Sequence, residues 1–206
     1  MLRTYSIGAA AFISAMLGVL GWMAFRPGVD DPFAPCRSTA VSGGLDAIGG
    51  PFTLVNGQGQ TVTSAEVITM PTIVYFGYTF CPDVCPLDNS RNAQTTEILE
   101  SRGFMVQPVF ISIDPRRDTP EVVEAFAANF HPRMIGLTGT EEQVREASRA
   151  YRTYFAVQDS DDEFYLVDHS TFSYFVLPGH GTVEIFRHDM TAEAAADQAE
   201  CILRRA

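Results

Sequence analysis

The sequence contains no lysine: its 14 basic residues are all arginine, against 25 aspartate and glutamate residues, and its formal net charge is −11. Proteins that bind nucleic acids need a basic surface that neutralises phosphates, so this balance argues against that class. Internal repeats and low-complexity tracts are also absent. With 46% hydrophobic and 19% charged residues, the composition is ordinary for a globular protein. We therefore expect a folded domain whose acidic, solvated surface keeps it soluble.

Charged residues are absent from positions 5–25, a run of 21 residues flanked by Arg3 and Arg26. At about 1.5 Å per residue, a helix of this length crosses a hydrocarbon core of roughly 30 Å. Trp22, near one end, suits the aromatic belt of a membrane interface. We predict an uncleaved transmembrane anchor over residues 1–26. A cleavable signal peptide is the alternative, although its apolar region is usually shorter.

Residues 27–49 are rich in proline, glycine, serine and aspartate and have no hydrophobic period, which predicts a tether. The folded domain is predicted over residues 50–206. With an anchor at the N-terminus, we expect a single-pass protein of the bacterial inner (cytoplasmic) membrane whose soluble domain faces the periplasm. That compartment is oxidising, so paired cysteines are plausible there.

Beyond residue 50, apolar runs alternate with segments of helical period. Residues 52–63 predict a hairpin that turns at Asn56 and Gly57. Residues 72–78 and 106–113 are nearly continuous apolar runs, typical of strands buried on both faces. Further strands are predicted over 134–138, 171–177 and 182–187, and helices over about 82–101, 119–130, 140–151 and 191–204. This order predicts an α/β, thioredoxin-like fold with an N-terminal hairpin extension, preceded by one transmembrane helix.

Two of the four cysteines, Cys81 and Cys85, directly follow the predicted strand 72–78, at the end of the sheet where such folds gather function. A structural disulfide, a redox couple and a site for a soft metal ion all remain open. If both lie in the first helical turn, with Pro82 at its first position, their sulfurs point to one face. The helix N-terminus favours the thiolate, which acts both as nucleophile and as metal ligand. Three intervening residues, instead of the usual two in redox motifs, favour a shared ligand.

Two thiolates need a third ligand to complete a transition-metal site, and the chain has four histidines. His131 is predicted to end the helix 119–130 on the surface. His180 lies in a Pro-Gly turn, and His188 follows a strand among polar residues. For these three histidines we predict solvated side chains.

His169 differs, because it immediately precedes the apolar strand 171–177. In a thioredoxin-type sheet the start of that strand lies beside the cysteine helix, where thioredoxins have a cis-proline and this chain has Asp-His-Ser. We predict His169 as the third ligand, with Asp168 as a group that supports the imidazole. Two sulfurs and one imidazole suit copper, whereas a structural zinc site needs a fourth ligand.

Three segments, YFGYTFCPDVCP (75–86), DPRRDTP (114–120) and VDHS (167–170), resemble the Sco/SenC family of membrane-anchored copper proteins. The resemblance extends over about residues 48–206. It implies that Cys81, Cys85 and His169 bind copper in a metallochaperone that assists assembly of the binuclear copper centre of cytochrome c oxidase, through the oxidase's subunit II.

The resemblance leaves a second function open, in which Cys81 and Cys85 form a disulfide when oxidised and act as a thiol–disulfide oxidoreductase on the cysteines of subunit II or of other exported proteins. Whether the protein is an enzyme therefore stays undecided at this point. Peroxidase chemistry is a weaker third candidate, because nothing marks one cysteine as a lone peroxidatic nucleophile.

Cys36 and Cys201 lie outside the motifs of that family. We hypothesise a disulfide that joins the tether to the C-terminal helix; two free or partner-directed thiols are the alternative. Asp114 and Asp118 are assigned to helix capping and loop structure. For the acidic segment 159–164 we predict a solvated loop.

Overall fold

A computed structural model describes residues 14–19, 21, 31–39, 41, 44–158 and 165–206. Most of the predicted anchor, part of the predicted tether and the whole acidic segment 159–164 lie outside these residues. The chain divides into two compact units, Met1–Ala34 and Pro35–Ala206. In the first unit, residues 14–19 are helical. Among the helices of the described residues, none is both long and apolar enough to cross a membrane.

The second unit is an α/β domain. Its strands are β1 (Thr53–Asn56), β2 (Thr61–Thr63), β3 (Thr72–Gly77), β4 (Gln107–Ser112), β5 (Ile135–Thr138), β6 (Phe155–Val157), β7 (Val167–His169), β8 (Ser173–Leu177) and β9 (Gly181–Phe186). Its helices are α1 (Ser64–Val67), α2 (Val84–Ser101), α3 (Pro120–Ala128), α4 (Glu141–Ala150) and α5 (Ala192–Leu203), and 3-10 turns occur at Ala34–Cys36 and Leu45–Ala47.

Seven strands form one sheet in the order β2-β1-β5-β4-β3-β8-β9, and β6 and β7 form a separate antiparallel pair. β3, β4 and β5 are parallel neighbours, and β8 runs antiparallel to β3. Every residue of β3 is buried, as the continuous apolar run predicts for a central strand covered on both faces. The predicted α/β, thioredoxin-like arrangement is confirmed, and the carboxyl ends of β3 and β4 meet at one edge of the sheet.

Local signals fix where the helices begin. Thr119 accepts a hydrogen bond from the Val122 N–H at the start of α3, with Pro120 in the first position. Thr140 and Gln143 form a capping box at the start of α4. The predicted hairpin around Asn56 is also present, and the predicted strands β8 and β9 pair as a second hairpin. The strands β6 and β7 were not predicted, because three-residue strands are too short to show a period.

The folded unit begins earlier than the sequence predicts. Residues 35–49, assigned to the tether, belong to it: Arg37 donates from Nε to the Val183 carbonyl oxygen at 2.7 Å, and Thr39 donates to the Ile185 carbonyl oxygen at 3.2 Å. Leu45 and Ile48 are buried in the core. The sequence does not reveal this packing, because Leu45 in a 3-10 turn and Ile48 just after it are isolated apolar residues that show no period.

Cys36 and Cys201 are joined by a disulfide, with their Cα atoms 5.6 Å apart and a sequence separation of 165. Cys36 is buried, and Arg205 donates from Nε to its sulfur at 3.1 Å. The bond links the start of the folded unit to α5, which packs along α2. The two remaining cysteines, Cys81 and Cys85, carry free thiols.

Candidate metal centre

The loop between β3 and α2 positions Cys81. Its N–H donates to the Tyr78 carbonyl oxygen at 3.3 Å, and its sulfur accepts from the Cys85 N–H at 3.5 Å. The helix begins at Val84, so the expectation that Cys81 and Pro82 lie in its first turn is wrong. Asp83 occupies the capping position but makes no capping hydrogen bond with its side chain. The Cys81 sulfur instead faces the helix N-terminus from outside, where N–H groups favour negative charge.

Cys85 lies in the first turn of α2 and is fully buried. The Tyr75 hydroxyl donates to its sulfur at 3.7 Å. Space for that sulfur comes from Gly77 at the end of β3: a Cβ atom at Gly77 would lie 2.8 Å from Cys85 Sγ and 2.8 Å from Tyr75 Cε1. Glycine is therefore the residue that lets this helix approach the strand.

His169 is the last residue of β7, 84 residues after Cys85 in the sequence, and its Nε2 lies 3.4 Å from Cys85 Sγ. Its other ring nitrogen, Nδ1, lies 2.9 Å from the Ser170 carbonyl oxygen. A carbonyl oxygen only accepts, so Nδ1 carries a proton, and a neutral ring in this position binds a metal through Nε2, the nitrogen that faces the Cys85 sulfur. This is the tautomer that a metal ligand needs.

Asp168 does not support the imidazole as predicted. Successive strand residues point to opposite faces, so Asp168 faces away from His169, is exposed, and accepts from Gln158 Nε2 at 2.8 Å. The group that orients the ring is the Ser170 carbonyl. A main-chain oxygen leaves no side-chain signal in a sequence, and for that reason the prediction chose the neighbouring carboxylate.

Tyr78 connects the cysteine loop to the histidine strand. Its carbonyl oxygen accepts from the Cys81 N–H, and its hydroxyl accepts from the Val167 N–H at 3.3 Å. Its ring meets the His169 ring edge-on, with centroids 5.8 Å apart, and the Tyr75 ring does so at 6.3 Å. The imidazole is thus confined between two tyrosine rings, which limits the orientations it adopts.

The Cys81 and Cys85 sulfurs and one nitrogen of His169 all lie within 4.8 Å of one another. In the described part of the chain this is the group of cysteine, histidine and acidic side chains that can hold a metal ion. Two thiolates and a neutral imidazole are soft to borderline donors, which suit copper better than magnesium or calcium. Three donors without a fourth do not match a structural zinc site. The donor set fits copper.

The two thiols differ in pKa. The hydrogen bond from the Cys85 thiol holds the pKa of Cys81 well below its ordinary value, and contacts with His169 and with the N–H groups of Asp83 and Cys85 act in the same direction. The pKa of Cys85 is raised, first by that same hydrogen bond and then by burial. At neutral pH the reduced pair therefore holds Cys81 as thiolate and Cys85 as thiol.

This asymmetry predicts which thiol reacts first. In the reduced protein at pH 6, we expect iodoacetamide to alkylate Cys81 before Cys85, because only the thiolate attacks and an ordinary thiol, with a pKa of about 8.5, is almost wholly protonated there. Peptide mass spectrometry over a pH series measures both rates. Preferential labelling of Cys85, or equal rates that follow an ordinary thiol titration, would contradict the assignment.

The motif DPRRDTP has structural roles, as predicted, although Thr119 and not Asp118 caps α3. Asp118 is buried and binds Thr79, two residues before Cys81, through both its N–H at 3.1 Å and its hydroxyl at 2.5 Å. Burial raises the pKa of Asp118, and its hydrogen bonds oppose that rise.

The second carboxylate of the motif, Asp114, is bound by Arg117 at 2.5 Å, and the Tyr165 hydroxyl donates to it at 2.6 Å. These carboxylates hold the cysteine loop and the approach to β7 in place.

The other histidines lie outside this centre. His180 is exposed in the β8–β9 turn, as predicted. His131 is buried, and its Nδ1 accepts from the Arg133 N–H at 3.1 Å, so the prediction of a surface position is wrong. His188 is half-exposed, but its Nδ1 lies 3.0 Å from the buried Asp88 carboxylate, so it is not simply solvated. Tertiary contacts that a single sequence does not reveal hold these two side chains.

Gly77 gives a second prediction at this centre. Gly77→Ala places a methyl group 2.8 Å from the Cys85 sulfur, which must then move from its position beside His169. We expect weaker copper binding, and a free energy of unfolding lowered by about 1 to 3 kcal/mol through overpacking. Chemical denaturation and competitive copper titration measure the two effects. Unchanged copper affinity in the folded variant would show that the close approach of helix and strand does not set the sulfur position.

Comparison with known proteins places this geometry in a family. A family model described as SCO1/SenC matches residues 41–204. Protein SenC of Rhodobacter capsulatus is 44% identical over 201 residues, which are 98% of this chain and 90% of that protein. The crystal structure of Arabidopsis thaliana ScoI with copper bound is 38% identical with a TM-score of 0.73, covering 77% of this chain and 99% of that one.

The crystal structure of yeast Sco1 with copper bound is also similar, at 33% identity and a TM-score of 0.72 over 78% of this chain and 90% of that one. The match of the family model covers most of the chain, including both cysteines and the histidine of the candidate centre. The chain therefore belongs to the SCO1/SenC family.

Proposed function

We propose that the protein is a copper metallochaperone that binds one copper ion through Cys81, Cys85 and His169 and assists assembly of the binuclear copper centre of cytochrome c oxidase. The observation that carries the proposal is the juxtaposition of two sulfurs and one imidazole nitrogen, all within 4.8 Å of one another. Copper in the structures of similar Sco proteins supports the choice of metal.

The centre is built to hold a metal cargo that another protein then receives. Cys85 is fully buried and Cys81 nearly so, whereas His169 is partly exposed. Loading copper displaces the proton of Cys85, because the thiolate is the form that binds, while Cys81 is already ionised. The Tyr75 hydroxyl donates to the Cys85 sulfur and balances part of the negative charge of the two thiolates.

A second function, thiol–disulfide exchange, is favoured by the pKa asymmetry of the same cysteines. An ionised Cys81 beside a protonated Cys85 is the usual arrangement of attacking and resolving thiols. In this role the reduced pair passes two electrons to a disulfide in its target, such as the paired cysteines of the oxidase subunit II, and becomes the Cys81–Cys85 disulfide. We place this function second because thiol exchange needs only the two sulfurs, whereas the structure brings a third metal-binding group, the imidazole of His169, to the same point.

The location follows from the sequence and belongs to the proposal. The uncharged run 5–25 anchors the chain in the bacterial inner membrane, and residues 35–206 lie in the periplasm. The disulfide between Cys36 and Cys201 supports an oxidising compartment. The copper site of oxidase subunit II is the proposed recipient.

Copper titration of residues 35–206, with Cys81 and Cys85 reduced, tests the proposal. We expect one copper ion per chain, followed by transfer of the ion to the apo copper domain of oxidase subunit II. Binding of copper with no transfer would refute the chaperone role, and thiol exchange without any copper binding would leave only the oxidoreductase. Oxidised protein, with the Cys81–Cys85 disulfide formed, is the control and should bind no copper.

A further inference from the structure

The strand β6 has one edge that no other strand of the described chain covers. It pairs only with β7, in an antiparallel pair whose main-chain bonds include that from the Gln158 N–H to the Leu166 carbonyl oxygen at 2.9 Å. In such a pair, successive residues turn their N–H and C=O groups to opposite edges. The main-chain groups of Phe155 and Val157 therefore point away from β7, and in the described residues no hydrogen bond engages them.

This free edge borders a groove between β6 and α4. The groove has a volume of about 380 Å³, and its walls include all three residues of β6 and, from α4, Arg145, Ser148 and Arg149. Consecutive strand residues point to opposite faces, so a groove that touches all three follows an edge of the strand. Because β7 covers one edge, the groove follows the free one. We call it the β6 groove. A free strand edge beside a helix is the setting in which extended peptides bind as an added strand.

Two arginines give the β6 groove a positive charge in an otherwise acidic protein. Arg145 and Arg149 are exposed, and neither forms an ion pair within the described part of the chain. Glu141, one helical turn before Arg145, is bound to Arg116 at 2.7 Å. The net charge of −11 disfavours the approach of an acidic segment to most of the surface, so such a segment is favoured only where unpaired arginines lie together.

The spacing of the two arginines matches that of side chains on a strand. Arg145 and Arg149 are four residues apart and lie on the same side of α4, about 6 Å apart along the helix axis. Alternate residues of an extended peptide share one face and are about 6.6 Å apart. A peptide lying along β6 can therefore present acidic side chains at alternate positions to both arginines, while its main chain faces the strand edge.

From these features we propose that the β6 groove binds an extended segment of a partner protein, which pairs with β6 as an added strand and carries acidic residues at alternate positions. Phe155 of β6 is the register partner of His169 in β7. The added strand therefore lies two strand spacings, about 10 Å, from the main chain of the histidine, and a bound partner is held beside the candidate metal centre. The inference does not depend on copper, because the groove contains no metal ligand.

Fluorescence anisotropy of a labelled peptide in which glutamate alternates with valine tests the proposal on the metal-free, reduced protein. The double variant Arg145→Gln, Arg149→Gln removes the positive charge of the groove. The double variant Arg187→Gln, Arg204→Gln is the matched control, because it removes the same charge at exposed positions outside the groove. Two further peptides, N-methylated at every valine or at every glutamate, keep the charge and block the main-chain N–H groups of one edge each.

We expect the control variant to bind the peptide as wild type does, and the groove variant to bind it at least about tenfold more weakly. At least one N-methylated peptide should also bind at least about tenfold more weakly, and a peptide with lysine in place of glutamate should not bind. Equal binding by groove variant and wild type, or no binding by wild type up to about 1 mM protein, would overturn the proposal.

Two other outcomes would assign the β6 groove to a different occupant and would also overturn the proposal. Full binding of both N-methylated peptides would leave an anion site without strand pairing. Sedimentation of wild type as a dimer that the groove variant does not form, while the control variant still forms it, would give the groove to a second copy of the chain.

Discussion

Replacing His169 by alanine is expected to reduce the copper affinity of the reduced domain at least about 100-fold. Loss of a group that merely orients a ligand costs roughly 10- to 100-fold in metal affinity, so loss of the ligand itself should reach or exceed that range. The remaining donors are the two sulfurs of Cys81 and Cys85, 4.8 Å or less from where the imidazole nitrogen was. Competitive titration against a copper chelator measures the change.

The same variant separates the two functions of the cysteine pair. His169→Ala should still form and reduce the Cys81–Cys85 disulfide, because neither sulfur depends on the imidazole for its position. His180→Ala is the matched control: His180 lies exposed in the β8–β9 turn and should leave copper affinity at the wild-type value. Unchanged copper binding in His169→Ala would show that the centre has other ligands.

Removing the disulfide between Cys36 and Cys201 is expected to have the largest effect on stability. The bond closes a loop over 165 residues of separation, and the chain-entropy account assigns most stabilisation to long loops. We expect the double variant Cys36→Ala, Cys201→Ala to lose about 2 to 5 kcal/mol in free energy of unfolding. For a domain of this size, that corresponds to a fall of about 5 to 20 °C in the unfolding midpoint.

Wild-type protein treated with a reductant that opens the bond is the control, and it should unfold at the midpoint of the double variant. Copper binding by the folded double variant should be normal, because neither residue contacts the metal centre. Equal stability of the variant and oxidised wild type would contradict the expectation. The absence of a cross-linked peptide joining Cys36 and Cys201 in oxidised protein would contradict the bond itself.

Much of the fold follows from signals within single segments. The buried strands β3 and β4 are continuous apolar runs, and α3 and α4 begin at threonines that cap them, so their positions were predictable to within a few residues. The place of the cysteines beyond β3 followed from topology. The described residues of 35–49 were not predictable as folded, since their contacts are hydrogen bonds from single side chains to main-chain carbonyl oxygens of β9 and the burial of isolated apolar side chains.

In the candidate centre, too, some features were predictable from the sequence and others were not. The residue types and their order pointed to Cys81, Cys85 and His169. What supports them was missed: the Ser170 carbonyl on the imidazole, the two links made by Tyr78, and the space left by Gly77. Each depends on a main-chain atom or on a missing side chain brought close by tertiary structure. Such contacts have no fixed spacing in the sequence, so periodicity and motifs do not reveal them.

X-ray absorption spectroscopy of the copper(I)-loaded, reduced domain tests the central claim most directly, because it counts the atoms bound to the metal. The account predicts two sulfur scatterers and one imidazole nitrogen in the wild-type domain, with the nitrogen lost in His169→Ala and retained in His180→Ala. A wild-type spectrum with sulfur ligands alone, or one from which the imidazole is not lost in His169→Ala, would contradict it.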